Sequence, residues 1–369
     1  ETFLLDPFPL EPVVLPVPIS EASYFKQNFN SSNFSNLDLK VINKEFVLSH
    51  IDLEVGNKTY TYDIFENNAY GITTFDYNFD KIDIDINEAV SVSDRVNRNI
   101  KVGKSSVDSD IPQNKKVANR FALVIGNEDY TSFQRTLNSE QDVDYAENDA
   151  TVFKKYCLNT LGVKEENMHF LLNATAGQMS QEIDLVTKIL SKLENKAELI
   201  VYYAGHGYPD ELTKVPYLIP VDVSASNLSS AIKLDDLYQK LAETNASRIT
   251  FFLDACFTGG GRNTGLLASR GIKVKPKQGQ LNGNMVIFSA SSEDQSSLPY
   301  HDEGHGIFTY FLLKKIQETK GNLSFGELSE YLEHNVSIQS LRVNEKEQDP
   351  KVNTSSTIFN DWRNWRFLK

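Results

Sequence analysis

The sequence predicts an α/β three-layer sandwich with a mostly parallel central sheet, preceded by a small all-β module. Three observations predict it. From Arg120 onward short apolar runs alternate with helix-length stretches; from Lys40 to about Val92 polar and apolar residues alternate one by one; and a polar stretch without a sustained period separates the two regions.

The chain opens with five prolines between Pro7 and Pro18, which prevents regular helix and predicts an extended arm or strand-edge segment. Ile51, Leu53 and Val55 then alternate with polar residues, Gly56-Asn57 follows, and 59–64 resumes the alternation, which predicts a β-hairpin. Ile82, Ile84 and Ile86 alternate with aspartates in the same way. Residues 93–119 carry Arg95, Arg98, Lys101, Lys104, Lys115 and Lys116 and read as a linker. Beyond it come strands at 121–126, 168–172, 199–204, 249–255 and 285–291, with helices near 143–158, 178–193, 234–243, 305–318 and 324–337. Short continuous apolar strands separated by helices predict a parallel sheet covered on both faces. The expected organisation is a Pro-rich arm at 1–20, a β-rich module at 21–92, a basic linker at 93–119, the α/β domain at 120–352 and a tail at 353–369.

The net charge of −13 disfavours a phosphate-backbone partner, so nucleic acid is not expected, and cationic partners or substrates are favoured. No apolar run reaches the eighteen residues that a transmembrane helix requires. The chain begins at Glu1 rather than Met; with the β module, this tilts the expectation toward export to a bacterial envelope. Two cysteines, Cys157 and Cys256, are too few for a disulfide framework or a CxxC metal site, and Cys157 reads as a small buried core residue.

His206 follows the strand 199–204 in AGHGY, and Cys256 follows the strand 249–255 in DACFTGG. In a parallel sheet such ends share one edge, the edge at which these folds place ligands. If the two strands are neighbours, their spacing of about 4.8 Å brings imidazole and thiol toward hydrogen-bond reach. Gly205 and Gly207 let the backbone turn tightly around His206, and the N–H groups of Gly207 and Cys256 are candidate oxyanion donors. The expected chemistry is acyl transfer by a Cys256–His206 pair, with a backbone carbonyl available to orient the imidazole. Either residue alone reads more readily as a satisfied loop histidine or a buried cysteine; the pairing reverses that balance.

These residues resemble the caspase-like cysteine peptidases. The motifs ALVIGNEDY, YYAGHG, PYLIPVD, LDACFTGG and FSASSEDQSS carry the resemblance over 120–352. DAC in place of QAC is similar to the metacaspase and bacterial caspase-family branch, including proteins common in Bacteroidetes. The resemblance implies a caspase-like peptidase domain, a zymogen, and protein or peptide substrates with basic residues. It implies that Asp254 binds a substrate Arg or Lys, matching the need of a buried carboxylate for a partner. It matches Asp149 less securely to a second acidic position of that pocket, with a helix-surface carboxylate as the alternative; Asp294 is a third candidate. No cofactor is required. Asp222, Asp235 and Asp236 resemble an activating Ca²⁺ site, incomplete because neutral Asn263 stands where a fourth ligand would fall, and Asp235 reads more readily as a helix cap. The exposed basic stretch with Arg270, Lys273, Lys275 and Lys277 is either a self-cleavage site or a solvated loop. His301 and His305 read as loop and helix-start residues, not metal ligands. Two other accounts stay open, a catalytically silent scaffold and a cysteine hydrolase acting on non-protein amides; the sequence leaves the oligomeric state undetermined.

Overall fold

The computed structural model of the chain describes five strands before residue 101 as backbone, and residues 105–134, 140–210, 212–224, 226–257, 279, 281–292 and 295–368. Contacts divide the chain into two units, Glu1–Ile100 and Lys101–Lys369.

The first unit contains β1 (Val14–Leu15), β2 (Phe34–Ile42), β3 (Glu45–Val55), β4 (Lys58–Asn67) and β5 (Ile72–Asp76) in one antiparallel sheet. Val55 pairs with Lys58, so the expected hairpin forms around the Gly56-Asn57 connection. Val14–Leu15 pairs with β3, which makes part of the proline-rich arm an added strand. The stretch around Ile82, Ile84 and Ile86 lies outside the described residues.

The second unit is the α/β sandwich. Its strands are β6 (Arg120–Gly126), β7 (Met168–Leu172), β8 (Glu198–Ala204), β9 (Gly207–Pro209), β10 (Pro216–Leu218), β11 (Ile232–Lys233), β12 (Arg248–Asp254), β13 (Met285–Ser289), β14 (Pro299–Tyr300), β15 (His305–Gly306) and β16 (Lys351–Thr354). Its helices are α1 (Ala146–Asn159), α2 (Ala176–Leu193), α3 (Leu234–Ala242), α4 (Ile307–Glu318) and α5 (Phe325–Asn344). The central sheet runs β16-β13-β12-β8-β6-β7, parallel except for β16 at one edge. Successive side chains alternate between its faces. Ile200, Tyr202 and Phe252 join a core with α1, α4 and α5, while Leu199, Val201, Phe251 and Leu253 join a second core with α2 and α3. Both cores hold fully buried aromatics, and the central strands are apolar on both faces.

Two boundaries differ from the sequence expectation. Residues 105–119, expected within the linker, belong to the sandwich: Val107 is buried, and Tyr156 Oη donates to its carbonyl at 2.9 Å. Their polarity has a use, because the end of α1 leaves carbonyls without helical partners. Asn114 Nδ2 donates to Thr160 O at 2.8 Å, and Lys116 Nζ reaches the Leu158 and Val163 carbonyls. Residues 353–369, expected as a tail, place Ile358, Trp362 and Phe367 in the first core. Helix ends also move, and α5 runs on to Asn344, seven residues past the expected end. α1 starts at Ala146, after Tyr145 in the left-handed region, and α4 starts at Ile307 because His305–Gly306 is paired as a strand. A small sheet of β9, β10 and β11 was not foreseen; its strands are two or three residues long, too short for a periodic signal.

Candidate active site

The register of the sheet sets the site. Every β8 residue from Glu198 to Ala204 pairs with the β12 residue fifty positions later, Arg248 to Asp254. His206 and Cys256 each follow two residues beyond the last paired residues of these strands, Ala204 and Asp254. Gly207 shows the approach directly: a Cβ built there would stand 2.6 Å from the Phe257 ring and 2.8 Å from the Cys256 carbonyl oxygen. Gly205, at φ +154°, has the Tyr203 hydroxyl 2.7 Å from the place a Cβ would take. The glycines on both sides of His206 are therefore demanded by conformation and space.

His206 is 6% exposed and closely held. Its N–H donates to Tyr130 Oη at 3.0 Å, its carbonyl accepts from Tyr203 Oη at 2.7 Å, and the Tyr130 ring lies 4.6 Å from the imidazole. Nε2 donates to the Gln141 carbonyl at 2.6 Å, so Nδ1 is the nitrogen left to accept a proton. Burial lowers the imidazole pKa below its ordinary 6.5, outweighing the upward pull of the Gln141 carbonyl and of Glu140 and Asp142. At neutral pH His206 is an uncharged base. Cys256 is 2% exposed; its thiol donates to the Gln295 carbonyl at 3.4 Å and lies 3.6 Å from Ser296 Oγ.

The expected pocket carboxylates have internal donors. Asp254 is fully buried and accepts from Ser297 Oγ, from Thr309 Oγ1 at 2.6 Å and from Thr309 N at 3.3 Å. Asp149, also fully buried, is not on the helix surface. It accepts from Gly306 N at 3.1 Å and meets His305 Nδ1 at 2.7 Å, while His305 Nε2 meets Asp108 at 2.9 Å. Both carboxylates thus flank the first turn of α4, where the helix dipole favours negative charge. The premise that Asp254 lacks a partner until a substrate arrives does not hold, and Asp149 is tied to His305 rather than to an open pocket. Burial lowers the His305 pKa, but the hydrogen bonds and charges of Asp108 and Asp149 outweigh it and raise the group to about 9. Cys157 is buried as expected, and burial pushes its thiol pKa up.

The expected Ca²⁺ ligands are not drawn together. Asp222 accepts from Ala176 N at 2.8 Å at the start of α2, and Asp236 pairs with Lys233 at 3.0 Å. Asp235 Oδ1 is 2.3 Å from where a Cβ on Gly279 would stand, and Asp235 does not cap α3. Among the described residues no group of three His, Cys, Asp or Glu side chains is arranged to hold a metal. His301 Nδ1 meets Tyr145 Oη at 2.8 Å, apart from the His305 cluster. Asp294, Arg270, Lys273, Lys275 and Lys277 lie outside the described residues.

Sequence reasoning did not reach Gln141, Tyr130, Tyr203 or Gln295. Gln141 and Gln295 act through main-chain carbonyls, which no residue type marks. The tyrosines stood in ALVIGNEDY and YYAGHG without an assigned contact.

The chain matches the family model described as the caspase domain over residues 119–360. No curated protein matches it significantly. Among solved structures it is similar to the protein GSU0716 from Geobacter sulfurreducens, at 17% identity and TM-score 0.48 over 68% of this chain and 98% of that one. Caspase-1 from Spodoptera frugiperda is similar at 15% identity and TM-score 0.45, over 68% of this chain and 93% of that one.

Proposed function

Because the chain belongs to the caspase-domain family, which suggests a cysteine peptidase, we propose that it is an endopeptidase with Cys256 as nucleophile and His206 as general base. The observation that carries this reading is the fifty-residue register of β8 and β12, together with the close approach of Gly207 to Cys256.

The thiol proton passes to His206 Nδ1 as Cys256 Sγ bonds to the scissile carbonyl carbon. The N–H groups of Gly207 and Cys256 receive the negative oxygen. When the C–N bond breaks, the leaving amine takes the proton from His206, which leaves a thioester on Cys256. Water adds to the thioester, giving one proton to His206, and the thiolate leaves and recovers it. The neutral imidazole supports this cycle, since a base must begin uncharged.

We assign the preference for substrate Arg or Lys to Asp254. Its support is its place on the strand that leads to Cys256, and its match to the basic-specific position of the metacaspase branch. Ser297 and Thr309, neutral donors, then hold the carboxylate in position. Self-processing within the stretch from Arg270 to Lys277 follows from the same preference.

Fluorogenic peptides ending in Arg, Lys or Asp, offered to wild type, Cys256→Ala and His206→Ala with and without Ca²⁺, test the reading. Cleavage after Arg or Lys by wild type alone is the expected result. Cleavage after Asp would overturn the Asp254 assignment, and no cleavage at all would favour the scaffold. Fragments of the chain that persist in Cys256→Ala would sink self-processing.

A further inference from the structure

The thiol of Cys256 is covered. Gln295 places its carbonyl on the S–H at 3.4 Å, and the same carbonyl accepts from Ser291 Oγ at 3.2 Å. The side chain of Gln295 turns away to a different part of the fold. Its Nε2 donates to Asp349 Oδ2 at 2.7 Å, and its Oε1 accepts from Asp349 N at 2.6 Å. Asp349 is fixed in turn by Ser337 Oγ of α5, which donates to Oδ1 at 2.6 Å. Beside it, Gln348 Oε1 accepts from Leu298 N at 2.9 Å, and Gln348 Nε2 donates to Ala290 O at 3.0 Å. Residues 348–349 therefore hold Ala290, Gln295 and Leu298, and Gln295 is the residue whose carbonyl meets the nucleophile.

We propose that Asp349 is a positioning residue of the peptidase: through Gln295 it seats residues 295–296 on the Cys256 sulfur and keeps the thiol closed until a substrate main chain displaces them. The inference rests on reading Cys256 as the nucleophile. A thiol that donates to the Gln295 carbonyl at 3.4 Å and is 2% exposed must turn and be uncovered before it can meet a scissile carbon. A bound peptide that takes the place of the 295–296 segment allows both. Gln295 joins Asp349 by two hydrogen bonds, one of them to a carboxylate, and hydrogen bonds to charged groups are the stronger kind. The bonds from Gln295 and Ser337 hold the Asp349 carboxyl below its ordinary pKa, so it is ionised across the neutral range.

Alkylation by iodoacetamide, followed by mass spectrometry of the two cysteine peptides, tests the cover on the full chain. Cys157 is the internal control, because it is fully buried in the core on α1. Asp349→Ala is expected to raise the Cys256 alkylation rate roughly tenfold, the worth of one charged hydrogen bond, while Cys157 stays unmodified. Asp349→Asn, which retains an acceptor for Gln295, is expected to restore most of the protection. An unchanged Cys256 rate in Asp349→Ala, or Cys157 and Cys256 rising together, would overturn the proposal. Should Asp349→Ala fail to fold, Gln295→Ala cuts the same contact from the other side, with the same expected contrast. Alkylation reads the thiol without any turnover, so an inactive wild type would defeat the peptidase reading and leave this contrast standing.

Discussion

Two buried histidines in the sandwich settle in different charge states, one neutral and one protonated. His206 and His305 are both nearly inaccessible, and burial pulls both toward the neutral form. His206 meets one main-chain carbonyl, with Glu140 and Asp142 acting at a distance, and its pKa falls below 6.5. His305 is clamped directly between Asp108 and Asp149, and its pKa rises to about 9. A partial charge on a carbonyl orients an imidazole without holding it protonated. Two carboxylates in direct contact hold the proton across the neutral range. The first arrangement suits a base that must gain and lose a proton, and the second suits a fixed tie between 105–119, α1 and the start of α4.

The comparison is broken most strongly at the proposed pair. Cys256→Ala or His206→Ala is expected to lower kcat/KM by at least about 10³-fold with little change in melting temperature. His305→Ala should do the reverse, because it leaves Asp108 and Asp149 without their cation; a loss of about 3–5 kcal/mol in denaturant unfolding is expected, with activity falling only as the fold does. Equal destabilisation by both histidine variants would erase the distinction. Titration sharpens it. A pKa raised from 6.5 to about 9 stabilises the fold fully below about pH 6.5, and that contribution is lost as pH rises through 9. Wild type should therefore lose more melting temperature than His305→Ala between pH 7 and 10. Tyr130→Phe removes the hydroxyl that accepts from His206 N and donates to Ile219 O, and about 1–3 kcal/mol of stability should go with it. Gly205→Ala is expected to cost a similar amount, about 1–3 kcal/mol for backbone strain, with the new Cβ also crowding the Tyr203 hydroxyl, read as a shift in melting temperature.

The parallel sheet was legible because its strands are continuous apolar runs, and each was located to within a residue or two at its start. The proposed pair stood out in the sequence because His206 and Cys256 follow strand ends with glycines beside them. What the sequence concealed depends on contacts between distant residues. The polar stretch containing Asp108 and Asn114 has a linker's composition, yet its polar groups are consumed at the end of α1 and around His305. Asp149 carries no mark distinguishing a pocket carboxylate from the anchor of a buried histidine 156 residues away. Trp362 and Phe367 follow too little periodic sequence to announce that they complete a core.

That last placement bears on how the protein is made. The edge strand β16, the Gln348–Asp349 grip and the aromatic pair Trp362 and Phe367 all follow Cys256 in the chain, and the aromatics pack against Phe288 and Phe325. A nascent chain that has already exposed Cys256 still lacks these pieces, so its core remains open until translation has passed Phe367. The thiol and its surrounding apolar strands are then least protected during synthesis, until the segment through Phe367 has emerged and packed.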